Sequence, residues 1–164
     1  MIRPETRPET RPETHPEIRH AGLIARRAAG LGGGLWRGVL IEGPSGAGKS
    51  DLALRALDHG FTLVADDRVE LWVSDGRLFG KAPAALAGLI EARGVDILRL
   101  TALPLAEVAL VVRCATPERL PDAERTEILG VALPAVTISA LEASAPAKLS
   151  RALARFDGAL NRRM

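Results

Sequence analysis

A chain of 164 residues supports one folded domain with a core of its own and is too short for two, which take about 100–150 residues each. Hydrophobic residues make up 47% and charged residues 26%, which excludes a wholly disordered or fibrous chain, and 22 basic residues against 20 acidic ones leave a net charge of only +2, which points to no nucleic-acid partner. No run approaches the ~18 uninterrupted apolar residues of a membrane span, Arg26, Arg27 and Arg37 break the best candidate, and no signal-like apolar segment opens the chain, so a cytoplasmic protein without a membrane anchor is expected.

Residues 3–14 are three copies of Arg-Pro-Glu-Thr, followed by the degenerate copy His15-Pro16-Glu17-Ile18. Proline at every fourth position removes a backbone donor and steers the residue before it away from the helical region. The other repeat positions supply almost nothing to bury, so residues 1–19 are expected to be a disordered tail and residues 20–164 the folded domain. The first strand signal is Leu35–Glu42, which feeds directly into a glycine-rich loop. From Lys49, the spacing of Leu52, Leu54, Ala56 and Leu57 predicts a helix that closes at His59-Gly60. A short strand, Phe61–Ala65, ends on the acidic pair Asp66-Asp67. Val69–Val73 and Arg77–Phe79 flank Asp75-Gly76, a strong hairpin signal. Further strands are expected at residues 88–91, 97–100, 108–112, 128–132 and 136–138, then a closing amphipathic helix over residues 147–160 with a basic solvent face. Cys114, after the apolar run Val108–Val112, reads as a buried core thiol. With a low aromatic share and no Tyr, the core must be built from Leu, Val, Ala and Ile. One helix after the loop and then mostly strands is an α/β pattern with a mixed, strand-rich sheet, unlike a doubly wound fold that keeps alternating strands with long helices.

The chemistry concentrates at Gly43-Pro44-Ser45-Gly46-Ala47-Gly48-Lys49-Ser50. Glycines at these spacings let successive N–H groups turn toward phosphate oxygens, and the following helix adds its positive end. Lys49 then reaches the β- and γ-phosphates, and the Ser50 hydroxyl is placed for magnesium, the pattern of a P-loop that holds ATP or GTP. P-loop enzymes usually hold the metal a second time through an Asp that ends a later apolar strand, yet the best such strand here runs into Arg113-Cys114. The acidic groups stand at Asp66 and Asp67 instead, where one can serve metal or act as a general base. Glu91 and Arg93 lie on one face of a strand-like segment, either as a second metal-side carboxylate beside a phosphate-facing cation or as a surface ion pair. Arg119 falls in a loop, Pro117-Glu118-Arg119-Leu120-Pro121.

Taken in order, Gly38-Val39-Leu40-Ile41-Glu42 through the P-loop to Asp51, Leu63-Val64-Ala65-Asp66-Asp67-Arg68-Val69-Glu70, and Ile90-Glu91-Ala92-Arg93-Gly94 resemble the catalytic domain of HPr kinase/phosphorylase over roughly residues 20–160. The resemblance implies a fold similar to phosphoenolpyruvate carboxykinase. It implies an ATP- and Mg2+-dependent serine kinase acting on HPr, the phosphocarrier of the sugar phosphotransferase system, and a homo-oligomer, hexameric in the family. It assigns Asp67 as the acceptor of the serine proton, Lys49 as the P-loop lysine, Ser50 and Glu91 as magnesium ligands, Arg119 as a catalytic arginine and His20 as the active-site histidine. Three departures stand out. The family's N-terminal domain is replaced by the repeat tail, as in a short form, and Ala21 follows His20 where the family has glycine. The loop used for dephosphorylation in bifunctional members reads here as Ser139-Ala140-Leu141-Glu142-Ala143-Ser144-Ala145-Pro146-Ala147-Lys148, so the phosphorylase reaction stays open. A nucleotide sensor without phosphotransfer and a small-molecule kinase are the alternatives, although no long helical insert suggests the substrate lid the latter would need.

Overall fold

Short runs of Val, Leu and Ile, punctuated by Gly and Asp, make this chain mostly strand. The computed structural model describes residues 15–28 and 35–161, with side chains as far as residue 156. Its elements are β1 (Glu17–Arg19), β2 (Gly22–Arg27), β3 (Trp36–Glu42), α1 (Lys49–Leu57), β4 (Thr62–Ala65), β5 (Val69–Ser74), β6 (Arg77–Lys81), β7 (Leu89–Ala92), β8 (Asp96–Arg99), β9 (Ala106–Cys114), β10 (Glu124–Ile128), β11 (Val131–Ile138) and α2 (Ala145–Asn161). The main sheet runs β1-β5-β6-β9-β3-β2-β4, with β11 joining the end of β9 and β10 pairing with β11. β3 and β9 are parallel, as are β9 and β11, and the other pairs are antiparallel, so the sheet is mixed as expected.

The central strands are buried on both faces, which explains their continuous apolar runs. On one side Val39, Ile41, Leu110 and Val112 pack with Leu52, Ala53 and Ala56 of α1 and with Leu149 and Leu153 of α2. On the other, Leu40 and Val111 join Leu23, Val69, Leu71, Leu78 and Leu133. Each such fully buried aliphatic side chain contributes about 1.5–3 kcal/mol. Leu, Val, Ala and Ile do fill this core, and Cys114 is buried within it.

Two junctions close the sheet on itself. His20 and Ala21 alone separate β1 from β2, and Asp66-Asp67-Arg68 alone separates β4 from β5. Because β1 pairs with β5 while β2 pairs with β4, the two junctions face each other, with Arg19 opposite Val69 and Leu23 opposite Ala65. Polar residues at the junctions are thereby brought together at one corner of the domain.

Three readings of the sequence differ from the structure. Residues 3–14 of the repeat lie outside the described residues, but the last part of the expected tail is structured, since Glu17–Arg19 forms β1 on the edge of β5. β2 went unread because Gly22–Arg27 ends in two arginines and carries no alternation. The single strand expected over residues 128–132 is instead the end of β10 and the start of β11, joined by a two-residue hairpin turn at residues 129–130. Leu129 and Gly130 take φ values of 49° and 80°, the mirror-image turn that matches strand twist, and leucine in its first position gives no turn signal. The 75–76 hairpin is confirmed with the same geometry, at φ values of 51° and 71°.

Gly38 sits opposite Val108 of β9, beside the register shift between Gly38 and Val39. A Cβ there would lie 2.6 Å from the Glu107 carbonyl oxygen, against rigid backbone. Gly38→Ala is expected to destabilise the domain by about 2–3 kcal/mol, the cost of overpacking a filled core, seen as a lower midpoint in denaturant unfolding.

Candidate active site

The phosphate loop leaves the end of β3 and enters α1, so the first N–H groups of the helix have no intrahelical acceptor and face the loop. Gly48 is the N-cap at φ 94°, and a Cβ there would meet Leu141 Cδ2 at 2.8 Å. Gly43 approaches Cys114 so closely that a Cβ would stand 3.0 Å from the cysteine Cβ. Both positions therefore require glycine, for conformation and for space. Lys49 is buried and donates from Nζ to the Gly43 carbonyl at 2.8 Å and the Pro44 carbonyl at 2.9 Å. The ammonium thus stitches the loop closed with two of its donors and keeps a third.

Ser50, one residue on, donates from Oγ to the carboxylate of Asp66, at 2.8 Å to Oδ1 and 2.9 Å to Oδ2. Asp66 is only 5% exposed, at the end of β4, and also accepts the Glu91 backbone N–H at 3.2 Å. One buried carboxylate therefore joins the start of α1, the β4–β5 junction and β7. Ser50 and Asp66 together present hard oxygen donors beside the phosphate loop. Magnesium favours such a set, because it takes one or two protein oxygens and fills its remaining positions with phosphate and water.

Asp67 behaves differently from its neighbour. Its φ of 65° lies in the left-handed region, which Asp tolerates better than most residues, and its side chain is 60% exposed. Its Oδ1 lies 3.1 Å from His20 Nε2, across the two facing junctions, and its Oδ2 lies 3.7 Å from Arg68 Nη1. Asp66 and Asp67 both line a cavity of about 620 Å³, whose far wall is the β7–β8 hairpin with Glu91 and Arg93. Glu91 lies on β7 and Arg93 in the turn just past it, and both are exposed with no ion pair between them among the described residues.

The structure thus brings together Lys49, Ser50, Asp66, Asp67, His20 and Glu91. Glu91 enters through its backbone N–H, and among the described residues its carboxylate makes no hydrogen bond with Ser50. Arg119 stands exposed between β9 and β10, away from the cavity at Asp67, on the loop that starts just past the Cys114 end of β9. Asp66 is the residue the sequence left without a role of its own. An acidic residue ending a buried strand straight after the P-loop helix was the available signal, but from sequence it could not be told from Asp67.

The sequence model of the HPr Serine kinase C-terminal domain matches residues 35–156. This chain belongs to that family. The HPr kinase/phosphorylase of Limosilactobacillus reuteri strain DSM 20016 is 39% identical over 132 residues, 71% of this chain and 39% of the relative. That of Lactobacillus delbrueckii subsp. bulgaricus is 39% identical over 116 residues, covering 62% and 37%. The chain therefore spans about two fifths of the length of these curated relatives. Among solved structures, the Hpr(Ser) kinase/phosphatase from Coxiella burnetii superposes with a TM-score of 0.69 at 25% identity, covering 90% of this chain and 99% of that one. The strand-rich fold expected from the sequence is thereby shown to be that of the HPr kinase catalytic domain.

Two predictions follow from the packing. Ser50→Ala leaves the buried Asp66 carboxylate short of a donor, so it should cost about 1–3 kcal/mol of stability and weaken nucleotide binding far more with magnesium than in chelator. Calorimetric titration under both conditions checks this, and equal losses would remove Ser50 from the metal's surroundings. Burial pushes the Cys114 thiol above its ordinary pKa, with the nearby Lys49 charge only partly opposing the shift. Folded protein at pH 8 should therefore react with a thiol reagent at least about tenfold more slowly than unfolded protein.

Proposed function

We propose that this member of the HPr kinase family is an ATP-dependent serine kinase whose acceptor is an HPr-like phosphocarrier protein. The observation that carries this reading is the different placement of two adjacent carboxylates at one cavity, Asp66 buried on Ser50 and Asp67 exposed beside His20. In this reading the loop Gly43–Ser50 and Lys49 hold the triphosphate, and Ser50 with Asp66 and Glu91 holds the magnesium that accompanies it. Magnesium bound there neutralises charge on the phosphate oxygens. The acceptor serine enters over the cavity, and its Oγ forms a bond to the γ-phosphorus as the bond to the β-phosphate oxygen breaks. Its proton passes to Asp67, which His20 orients. Arg119, on its loop, is assigned to charge on the transferring group. The phosphorolytic reaction would run through the same groups with inorganic phosphate as acceptor. A cytoplasmic location and assembly into a homo-oligomer, a hexamer as in the family, belong to the same reading.

General-base assistance typically contributes ~10²–10⁴-fold, so Asp67→Asn should bind Mg-ATP within a few-fold of the parent and transfer phosphate to an HPr serine slower by that factor. Single-turnover transfer measured beside nucleotide affinity separates the two effects. Transfer at the parental rate would remove Asp67 from the chemistry, and no transfer by the parent to any HPr-like protein would overturn the assignment of the acceptor.

A further inference from the structure

Two consecutive residues just ahead of β2, Arg19 and His20, reach two different parts of the site. His20 meets Asp67, while the Arg19 guanidinium meets Glu42, with Nη1 2.6 Å from Oε1, and also holds Glu17 through Nε. Glu42 is the last residue of β3, immediately before Gly43, whose carbonyl accepts from Lys49. Its side chain is 24% exposed, so its negative charge is only partly screened by water at the root of a loop built to receive three phosphates. Its register partner on β9, Arg113, is engaged with Glu124 at 2.9 Å, and among the described residues Arg19 is the cation paired with Glu42. Partial burial works against the Arg19 charge, but the bonds to Glu17 and Glu42 more than offset it, so the guanidinium stays firmly protonated.

We propose that Arg19 is a positioning residue for nucleotide, acting through Glu42: it cancels the carboxylate charge beside the phosphate loop, and it does so from β1, ahead of the residues 35–156 that the family model matches. The inference rests on the reading of residues 43–50 as a nucleotide site and is independent of the acceptor protein. An acid at position 42 repels phosphate when left alone and is neutral toward it when paired, so the arginine and the acid should matter only as a pair.

The test measures Mg-ATP affinity of the full chain by calorimetry for four proteins: the parent, Arg19→Met, Glu42→Gln and the double variant, each first checked for a parental melting curve. Arg19→Met is expected to bind roughly tenfold more weakly at low salt, the size of one charge interaction in partly solvated protein. The deficit should shrink in ~0.5 M salt, where exposed charges are screened beyond a few ångströms. Glu42→Gln alone should bind within about twofold of the parent, the double variant should return to that level, and Arg19→Lys should keep most of the affinity. A merely structural arginine would give a double variant as weak as Arg19→Met or weaker. That result, or parental affinity in Arg19→Met, would overturn the proposal. If the parent itself binds no triphosphate, the nucleotide site is overturned and Arg19 with it.

Discussion

The hydrogen bond from Ser50 to the buried carboxylate of Asp66 fixes the geometry around it. A carboxylate out of water is costly unless its oxygens are engaged, and here they accept from a hydroxyl on α1 and from the Glu91 amide on β7. The helix that follows the phosphate loop is thus tied to the end of β4 and to the hairpin that walls the cavity. Moving any of the three segments would expose or strand the charge. The same oxygens supply the hard donors a magnesium ion prefers, so what steadies the fold also suits the chemistry.

The chain turns sharply at Asp67, whose left-handed backbone ends β4 and starts β5. This turn lets neighbouring carboxylates take different partners, Asp66 buried against Ser50 of the helix and Asp67 exposed beside His20. The facing turn at His20-Ala21 brings the imidazole within 3.1 Å of Asp67. A mixed sheet that closes through two short junctions therefore does what longer loops do in other folds. It places polar groups from distant parts of the sequence side by side on strands too well packed to shift.

Much of this could be read from the residues, because the signals were local. The strand, loop and helix over 36–57 and the hairpin at 75–76 each depend on spacing within a few positions. β1 and β2 could not be read, because their stability comes from pairing with β5, β3 and β4, far away in sequence, and not from their own pattern. The turn at Leu129-Gly130 was hidden by a leucine that the sheet forces to a positive φ. From the residue pattern the roles of Asp66 and Asp67 were legible only as a pair, and only the family resemblance singled out Asp67. Deciding which faces Ser50 requires the direction of the β4–β5 turn, and that is set by the tertiary pairing of β2 with β4 and of β1 with β5. The ion pair between Arg19 and Glu42 was invisible for the same reason.

The division of labour between the two carboxylates is tested most directly by a crystal structure of this protein with Mg2+ and a non-hydrolysable ATP analogue. The account predicts the triphosphate wrapped by residues 43–50 and the metal at ~2.0–2.1 Å from Ser50 Oγ, with Asp66 in contact directly or through one water. It predicts the Asp67 carboxylate off the metal, beside the γ-phosphate on the side open to the cavity. A metal held by Asp67, or a triphosphate bound away from the loop, would contradict it.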